Sequence, residues 1–222
     1  MRILAKLPLS WSSSQPDAMD AAERRERHRK QTEQIYAGIG RFAVKFEHVC
    51  HAMHSCVMNL LQHNGLKNQQ LANAVLEGLT AEPLRRMLAA AIAETKRDQL
   101  IGEEKQILDN IIRRIVDLTE ARNDVLHRTW FVGWAALADD DFSTTAGWKF
   151  KNTKKGVEFR PLEYTSANFE SLATEADRLT EIIRCLEYCL LYARPFASNL
   201  AVESDGIVRR CHDKPPAQKG RP

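Results

Sequence analysis

The sequence predicts a mainly α-helical bundle that carries a small β insertion. Apolar residues recur at alternating intervals of three and four along several long segments, which is the periodicity of amphipathic helices. Between two of these segments, aromatic residues alternate with polar ones, as is typical of strands. The 222 residues, 44% hydrophobic and 27% charged, are enough for one globular domain with its own core.

The first long helix is predicted to begin near Glu23 and to end around His63, where Asn64 and Gly65 supply a stop. Its apolar stripe continues for more than three heptads and consists of Ile35, Ile39, Phe42, Phe46, Val49, Met53, Cys56 and Leu60. A short helix is expected over 67–78. Thr80, with Glu82 and Pro83 in the following turn, then begins a third helix that carries Leu84, Met87, Leu88, Ala91 and Ile92.

Two further stripes predict the remaining long helices. The fourth helix carries Leu108, Ile111, Ile115, Leu118, Arg122 and Val125, and the last carries Phe169, Leu172, Ala176, Leu179, Ile183, Leu186, Leu190 and Ala193. The last helix is expected to stop before Pro195, because proline cannot continue a helix. Between these helices, strands around the turn-like segment NTKKG predict a β-hairpin, and 130–134 is expected to add a third strand.

The domain organisation follows from these elements. We expect a flexible N-terminal segment over 1–22, an up-and-down bundle over 23–200 with the β insertion at 130–164, and a basic disordered tail over 201–222. No apolar run approaches the length of a membrane-spanning helix, the N-terminus makes a poor signal peptide, and the five cysteines lack the dense spacing of a disulfide scaffold. These features favour a cytoplasmic protein with reduced thiols and no membrane association.

The positive charge of the chain is concentrated in three short stretches, at 24–30, 149–160 and 209–221. Each contains five Lys or Arg and one acidic residue, so together they hold +12 in a chain whose net charge is +3. Such asymmetry favours an anionic partner, although solvated surface is the simpler interpretation. If the hairpin binds RNA, its candidate contacts are Lys149, Lys151, Lys154 and Lys155.

Arg122 interrupts the stripe of the fourth helix, since it stands where the pattern requires an apolar side chain. A guanidinium in that position is costly unless it is paired or used. Asn123 and Asp124 follow, and His127 comes just before the aromatic segment WFVGW. On a continuous helix Asn123 and His127 share a face, so a distortion at the helix end is needed to bring Arg122 close to His127.

The stretch Arg122-Asn123-Asp124-Val125-Leu126-His127 resembles the motif of HEPN domains, which are helical bundles marked by an arginine, an adjacent polar residue and a histidine a few positions further on. The resemblance implies a metal-independent endoribonuclease of the toxin or phage-defence type, without a cofactor. It also implies a homodimer in which two motifs face one cleft, and an antitoxin or nucleotidyltransferase as a possible partner. Arg122, Asn123 and His127 are then the catalytic residues.

Other interpretations of the same residues stay open. The bundle could be a non-catalytic module that binds a nucleotide, RNA or a partner protein, or a structural bundle in which Arg122 forms an internal salt bridge. Arg41 with His48, seven residues apart rather than five, is a second instance of the loose arginine-histidine pattern, but it lies in mid-helix on the side that the heptad leaves exposed. Cys50 with His54, and Cys185 with Cys189, have a zinc-compatible spacing, although their orientation opposes a closed site. We therefore predict no metal site.

Overall fold

The structure is a computed structural model that describes residues 20–133, 141–153, 156–204, 206 and 208–210, and for 151–153 the backbone alone. The helices in this part of the chain are α1 (Ala21–His63), α2 (Gln69–Leu76), α3 (Ala81–Lys96), α4 (Gly102–Leu126) and α5 (Ser166–Leu191). The strands are β1 (Thr129–Phe131), β2 (Thr144–Thr153), β3 (Gly156–Thr165), β4 (Leu200–Val202) and β5 (Val208–Arg210). Short 3₁₀ turns follow α3 and α5. The prediction of a mainly α protein with a small three-stranded sheet is confirmed.

The core lies between α1 and α5, the most extensively packed pair of helices. Every residue of the predicted α1 stripe is buried except Ile39, which is partly buried against the core. A Cβ at Gly38 would lie 3.0 Å from Cβ of Phe169, so the missing side chain lets α5 approach closely. The two helices are also joined by the Arg41 to Glu170 and Lys45 to Asp177 ion pairs. Because the residue numbers of these pairs increase together along both helices, α1 and α5 run parallel.

The other long helices alternate in direction along the chain. In α4, Arg114 pairs with Glu175 of α5, and Glu104 accepts from the backbone of Ala197 beyond the end of α5, so α4 runs antiparallel to α5. Lys96 at the end of α3 lies beside Glu104 at the start of α4. These contacts make α3, α4 and α5 alternate in direction.

The insertion forms an antiparallel sheet in the order β1-β2-β3. One face packs on the bundle, where Trp130 lies edge-on to Phe169 and tilted against Tyr164. Thr145 and Gly147 are buried on this face. The other face carries Trp148, Phe150 and Phe159 and is exposed. The predicted third strand is β1, and Trp134 lies outside the described residues.

The C-terminal region requires a correction. The prediction of a disordered tail over 201–222 is wrong for its first part, because β4 and β5 pair as a hairpin whose Leu200 and Val208 side chains are buried. Buried Arg114 holds this hairpin by donating to the carbonyl of Val208 at 2.8 Å and to Glu175. Residues 211–222 and 1–19 lie outside the described residues.

The helix boundaries differ little from the predicted ones. The first helix begins at Ala21, two residues before the expected start, and the second spans Gln69–Leu76 within the predicted 67–78. Thr165 begins α5 with a capping box in which its side chain and that of Asn168 satisfy each other's backbone N–H groups. In the described part of the chain, no helix combines the length and apolarity needed to cross a membrane.

Candidate active site

The site lies at the C-terminal end of α4, where the helix gives way to the sheet. Helix ends leave carbonyls without partners, and here two side chains from the following segment satisfy them. Trp130 donates its indole N–H to the carbonyl of Val125 at 2.7 Å, and Arg128 donates to that of Asp124 at 3.3 Å. His127 is thereby held at the C-cap of α4, with φ −104° and ψ 20°. This is the helix-end distortion that the predicted motif needs.

Arg128 fixes this junction from within the fold. Its side chain is 4% exposed, and its guanidinium donates to the carbonyls of Gly147 at 3.2 Å and of Arg160. These two acceptors belong to β2 and β3, so one buried side chain joins the end of α4 to both strands. The backbone of the neighbouring His127 is positioned by this connection.

The side chains of Arg122 and His127 are in contact. Nη1 of Arg122 lies 3.4 Å from Nε2 of His127 and 3.3 Å from Oδ1 of Asn123. A guanidinium only donates hydrogen bonds, so a hydrogen bond between the two groups requires neutral His127 in the tautomer whose proton is on Nδ1, with Nε2 as the acceptor. The predicted site residues Arg122, Asn123 and His127 are therefore brought together by the fold.

The guanidinium of Arg122 is only partly compensated by its surroundings. It lies 5.7 Å from the centre of the Phe46 ring, within cation-π range, and 3.8 Å from Oε1 of Glu47. The Arg122 side chain is 28% exposed and that of Glu47 63%, so this is a long and solvated ion pair. Nε of Arg122 is buried and has no hydrogen-bond partner among the described residues. A buried salt bridge that would explain Arg122 structurally is not formed in the described part of the chain.

These side chains line a cavity of about 460 Å³ between α1, α4 and the start of α3. The lining residues are Phe46, Glu47, Cys50, Gly78, Leu79, Thr80, Ala81, Glu82, Thr119, Arg122, Asn123 and His127. Gly78 has φ +77°, a conformation that glycine adopts without strain, and it turns the chain so that α3 begins at the cavity. The positive end of the α3 dipole therefore faces the same space as Arg122.

The charge of the cavity is mixed. Glu82 accepts hydrogen bonds from Arg85 and Arg86, which lower the pKa of its carboxyl group to about 2. Its carboxylate, like that of Glu47, offsets part of the positive charge of Arg122, while Arg85 and Arg86 offset Glu82 itself. The cavity of one chain is thus not the uniformly positive groove that would bind RNA most strongly.

Cys50 is a thiol at the cavity wall, but it is a poor candidate nucleophile. Burial raises its pKa to about 11, and Glu47 acts in the same direction while Arg122 opposes the change. The thiolate is the nucleophilic form of cysteine, so Cys50 is protonated at neutral pH and weakly reactive. Histidine is the side-chain type suited to proton exchange at neutral pH, and among the described residues that line this cavity it is His127.

The hairpin lysines are only partly described. Lys149 forms a 2.8 Å ion pair with Asp124 of α4 and is half-buried, so its charge is largely compensated. The Lys151 side chain and residues Lys154 and Lys155 lie outside the described part of the structure. The predicted RNA-binding role of these four lysines therefore stays a prediction.

The competing sites are placed differently from the Arg122 motif. Arg41 is exposed and pairs with Glu170, while His48 is exposed further along α1. No three His, Cys, Asp or Glu side chains in the described ranges are grouped as metal ligands would be. Cys185 and Cys189 are both buried on α5, and the amide of Asn199 donates to Sγ of Cys189.

Comparison of the chain with protein-family models, with curated proteins and with solved structures gave no match. Any inference about the chemistry of the site therefore rests on its geometry.

The sequence did not predict Glu47 and the 78–82 turn as neighbours of Arg122. Phe46 stood on the apolar stripe of α1, but no local signal placed it, or Glu47 beside it, against α4.

Proposed function

We propose that the protein is a metal-independent endoribonuclease of the HEPN type, with Arg122, Asn123 and His127 at its active site. The observation that carries the proposal is the 3.4 Å contact between Arg122 and His127 at the wall of a cavity. A charged guanidinium and an imidazole side by side supply electrostatic and proton-transfer chemistry without a metal or cofactor.

The reaction that suits these groups is attack of the ribose 2′-hydroxyl on the adjacent phosphorus. The 2′ oxygen forms a bond to phosphorus, the bond to the 5′ oxygen breaks, and the products are a 2′,3′-cyclic phosphate and a 5′-hydroxyl end. One proton must leave the 2′-hydroxyl and one must reach the departing 5′ oxygen. DNA lacks the 2′-hydroxyl and is not a substrate.

Arg122 offsets the charge that develops on the phosphate. Its planar fork matches two phosphate oxygens, and its weak pairing with Glu47 leaves it available to an anion. When Arg122 donates its hydrogen bonds to a bound phosphate instead, Nε2 of His127 is free to accept the proton of the 2′-hydroxyl. Asn123, which is exposed beside them, can donate its amide N–H to a phosphate oxygen.

A single His127 cannot serve as base on one side of the phosphorus and acid on the other. This is a physical reason for two copies of the chain to share one cleft. In an isologous dimer that forms through the faces bearing the motif, two His127 side chains lie near one symmetry axis.

The second candidate function is a non-catalytic module that binds a nucleotide, RNA or a partner protein. The pair of carboxylates on the wall of the cavity, Glu47 and Glu82, opposes an anionic ligand there, so among these three ligands it favours a partner protein. This function takes precedence if the purified protein cleaves no RNA.

The experiment that tests the proposal is incubation of the purified full chain with end-labelled RNA in excess EDTA. We expect cleavage that chelator does not reduce, with products that carry a 2′,3′-cyclic phosphate. The same sequence as DNA, or with 2′-O-methyl groups, should stay intact. Cleavage that requires an added divalent ion, or that also degrades DNA, would exclude this mechanism.

A further inference from the structure

The outer face of the sheet, which we call the aromatic face, consists of Phe131, Trp148, Phe150, Val157 and Phe159. Registers place Phe150 opposite Phe159 and Trp148 opposite Pro161, so these side chains share the side away from the bundle. Trp148 is 43% exposed, Phe159 48% and Phe150 66%. Large apolar side chains exposed together on one surface mark an interaction site.

The rings form a continuous row. Centroids lie 4.4 Å apart between Phe131 and Trp148, 5.6 Å between Trp148 and Phe159, and 5.5 Å between Phe159 and Phe150. The successive planes are inclined by 50°, 81° and 41°, and the row crosses the sheet from β1 through β2 to β3. An extended ligand with flat, π-bearing groups at regular intervals matches such a row better than an aliphatic helix does.

The charge around the row identifies the ligand. The stretch 149–160, which contains the hairpin turn between these strands, has five Lys or Arg and one Glu. An aromatic row within a basic segment is the composition by which proteins bind single-stranded nucleic acid, through base stacking and phosphate contacts together. Lys149 is paired with Asp124, and Arg160 is paired with Glu158 at 2.9 Å. The contribution to phosphate binding is therefore assigned from the sequence to Lys151, Lys154 and Lys155, whose side chains lie outside the described part of the structure.

The row is also close to the candidate active site along the chain. β1 begins at Thr129, two residues after His127, and Thr129 is paired with Trp148. Phe131 is therefore at most about 15 Å from His127, the reach of four extended residues. A strand of RNA held on the row can present a neighbouring nucleotide to the end of α4.

We propose that the aromatic face is a base-stacking platform for single-stranded RNA and that it makes the substrate of this enzyme an unpaired segment. The platform binds bases of any sequence, since every base has a π-face. The assignment of the bound strand as substrate rests on the proposed ribonuclease function, whereas the binding itself does not.

The test measures binding apart from cleavage. Two full-length proteins are titrated with a fluorescein-labelled oligouridine RNA in EDTA. One carries His127→Ala alone, and the other carries His127→Ala together with Phe150→Ala and Phe159→Ala. We expect these two changes to weaken binding by at least about tenfold with the salt dependence unchanged, because base stacking disappears while the phosphate interactions remain. The matched control is Tyr192→Ala, whose ring is 65% exposed at the far end of α5, and it should change affinity less than twofold.

A second measurement reports on the row directly. Stacking of a base on Trp148 should quench tryptophan fluorescence, and Trp148→Phe should remove most of that quenching while binding persists. Unchanged RNA affinity in the variant with Phe150→Ala and Phe159→Ala would overturn the platform. A shift of that variant from dimer to monomer in sedimentation would also overturn it, because the row would then be a protein contact.

The two proposals fail in different ways. If the wild type cleaves RNA but the aromatic variant binds normally, the platform alone is wrong. If the wild type binds RNA through the row but never cleaves it, the platform stands and the ribonuclease function is wrong.

Discussion

Nη1 of Arg122 lies 3.4 Å from Nε2 of His127, across the last turn of α4. The two residues are five apart, and an undistorted helix would place them on different sides. The N–H of His127 still donates to the carbonyl of Asn123, but α4 ends at Leu126 and His127 has the non-helical dihedral angles φ −104° and ψ 20°. Arg128 and Trp130 fix the surrounding junction through the carbonyls of Asp124 and Val125. The contact between Arg122 and His127 therefore depends on the junction of α4 with the sheet.

Arg122 should matter more for activity than for stability. Replacement by methionine removes a charge, and an Nε without a partner among the described residues, from an otherwise apolar stripe. We expect Arg122→Met to unfold in urea at the wild-type midpoint or above it, and to lose RNA cleavage. Arg41→Met, which removes an exposed arginine from α1, is the control and should keep full activity. A large loss of stability in Arg122→Met would instead mark Arg122 as a structural residue.

The close packing around Gly147 makes this residue a test of the junction. An added Cβ there would overlap Cδ of Arg128 and lie 2.8 Å from the Trp130 ring. We expect Gly147→Ala to lower the free energy of unfolding by about 1–3 kcal/mol, as overpacking does, and to reduce cleavage by displacing His127. Gly40→Ala, with no atom within 4 Å of the new Cβ, should be neutral or stabilising by urea unfolding. Equal stabilities in the two variants would contradict this view of the junction.

Most of the helical core could be predicted from sequence because it depends on periodicity. The stripe of α4 predicted the buried Leu118 and Val125, and the same register placed Arg122 beside them at the cavity. The sequence predicted a distortion at the end of α4 only because helix geometry keeps Arg122 and His127 apart. The hydrogen bonds of Arg128 and Trp130 to the last carbonyls of α4 could not be predicted in this way.

Contacts between distant segments could not be predicted in this way. Three-residue strands have too few positions to show alternation, so β4 and β5 were assigned to a disordered tail. The ion pair of Lys149 with Asp124 joins residues 25 apart, and the approach of Glu47 to Arg122 joins α1 to α4. Neither pair has a local sequence signal, and both change the electrostatics of the site.

The hairpin lysines give a prediction about salt. Replacing Lys149, Lys151, Lys154 and Lys155 with glutamine should weaken RNA binding, because fewer phosphates are then neutralised. The slope of log affinity against log salt should become shallower by about 0.7 for each phosphate that the variant no longer neutralises. Lys149→Gln alone should change the slope little, because Asp124 already compensates its charge. An unchanged slope in the quadruple variant would show that these lysines are ordinary solvated surface residues that do not contact RNA.

The need for an acid and a base predicts a dimer. We expect sedimentation at micromolar concentration to give a two-chain species, and the specific activity to fall on dilution as that species dissociates. A monomer that retains full specific activity at all concentrations would contradict a composite site with two His127 side chains.

The most direct test of the central claim compares His127→Ala with His48→Ala in the chelator-resistant cleavage of RNA. His127 is exposed at a helix end and contributes little packing, so its loss should abolish cleavage and leave the unfolding transition almost unchanged. His48, also exposed and in the second arginine-histidine spacing, should be dispensable. We expect no cleavage by His127→Ala and wild-type cleavage by His48→Ala, whereas persistent cleavage by His127→Ala, or equal loss in both variants, would contradict an active site at Arg122 and His127.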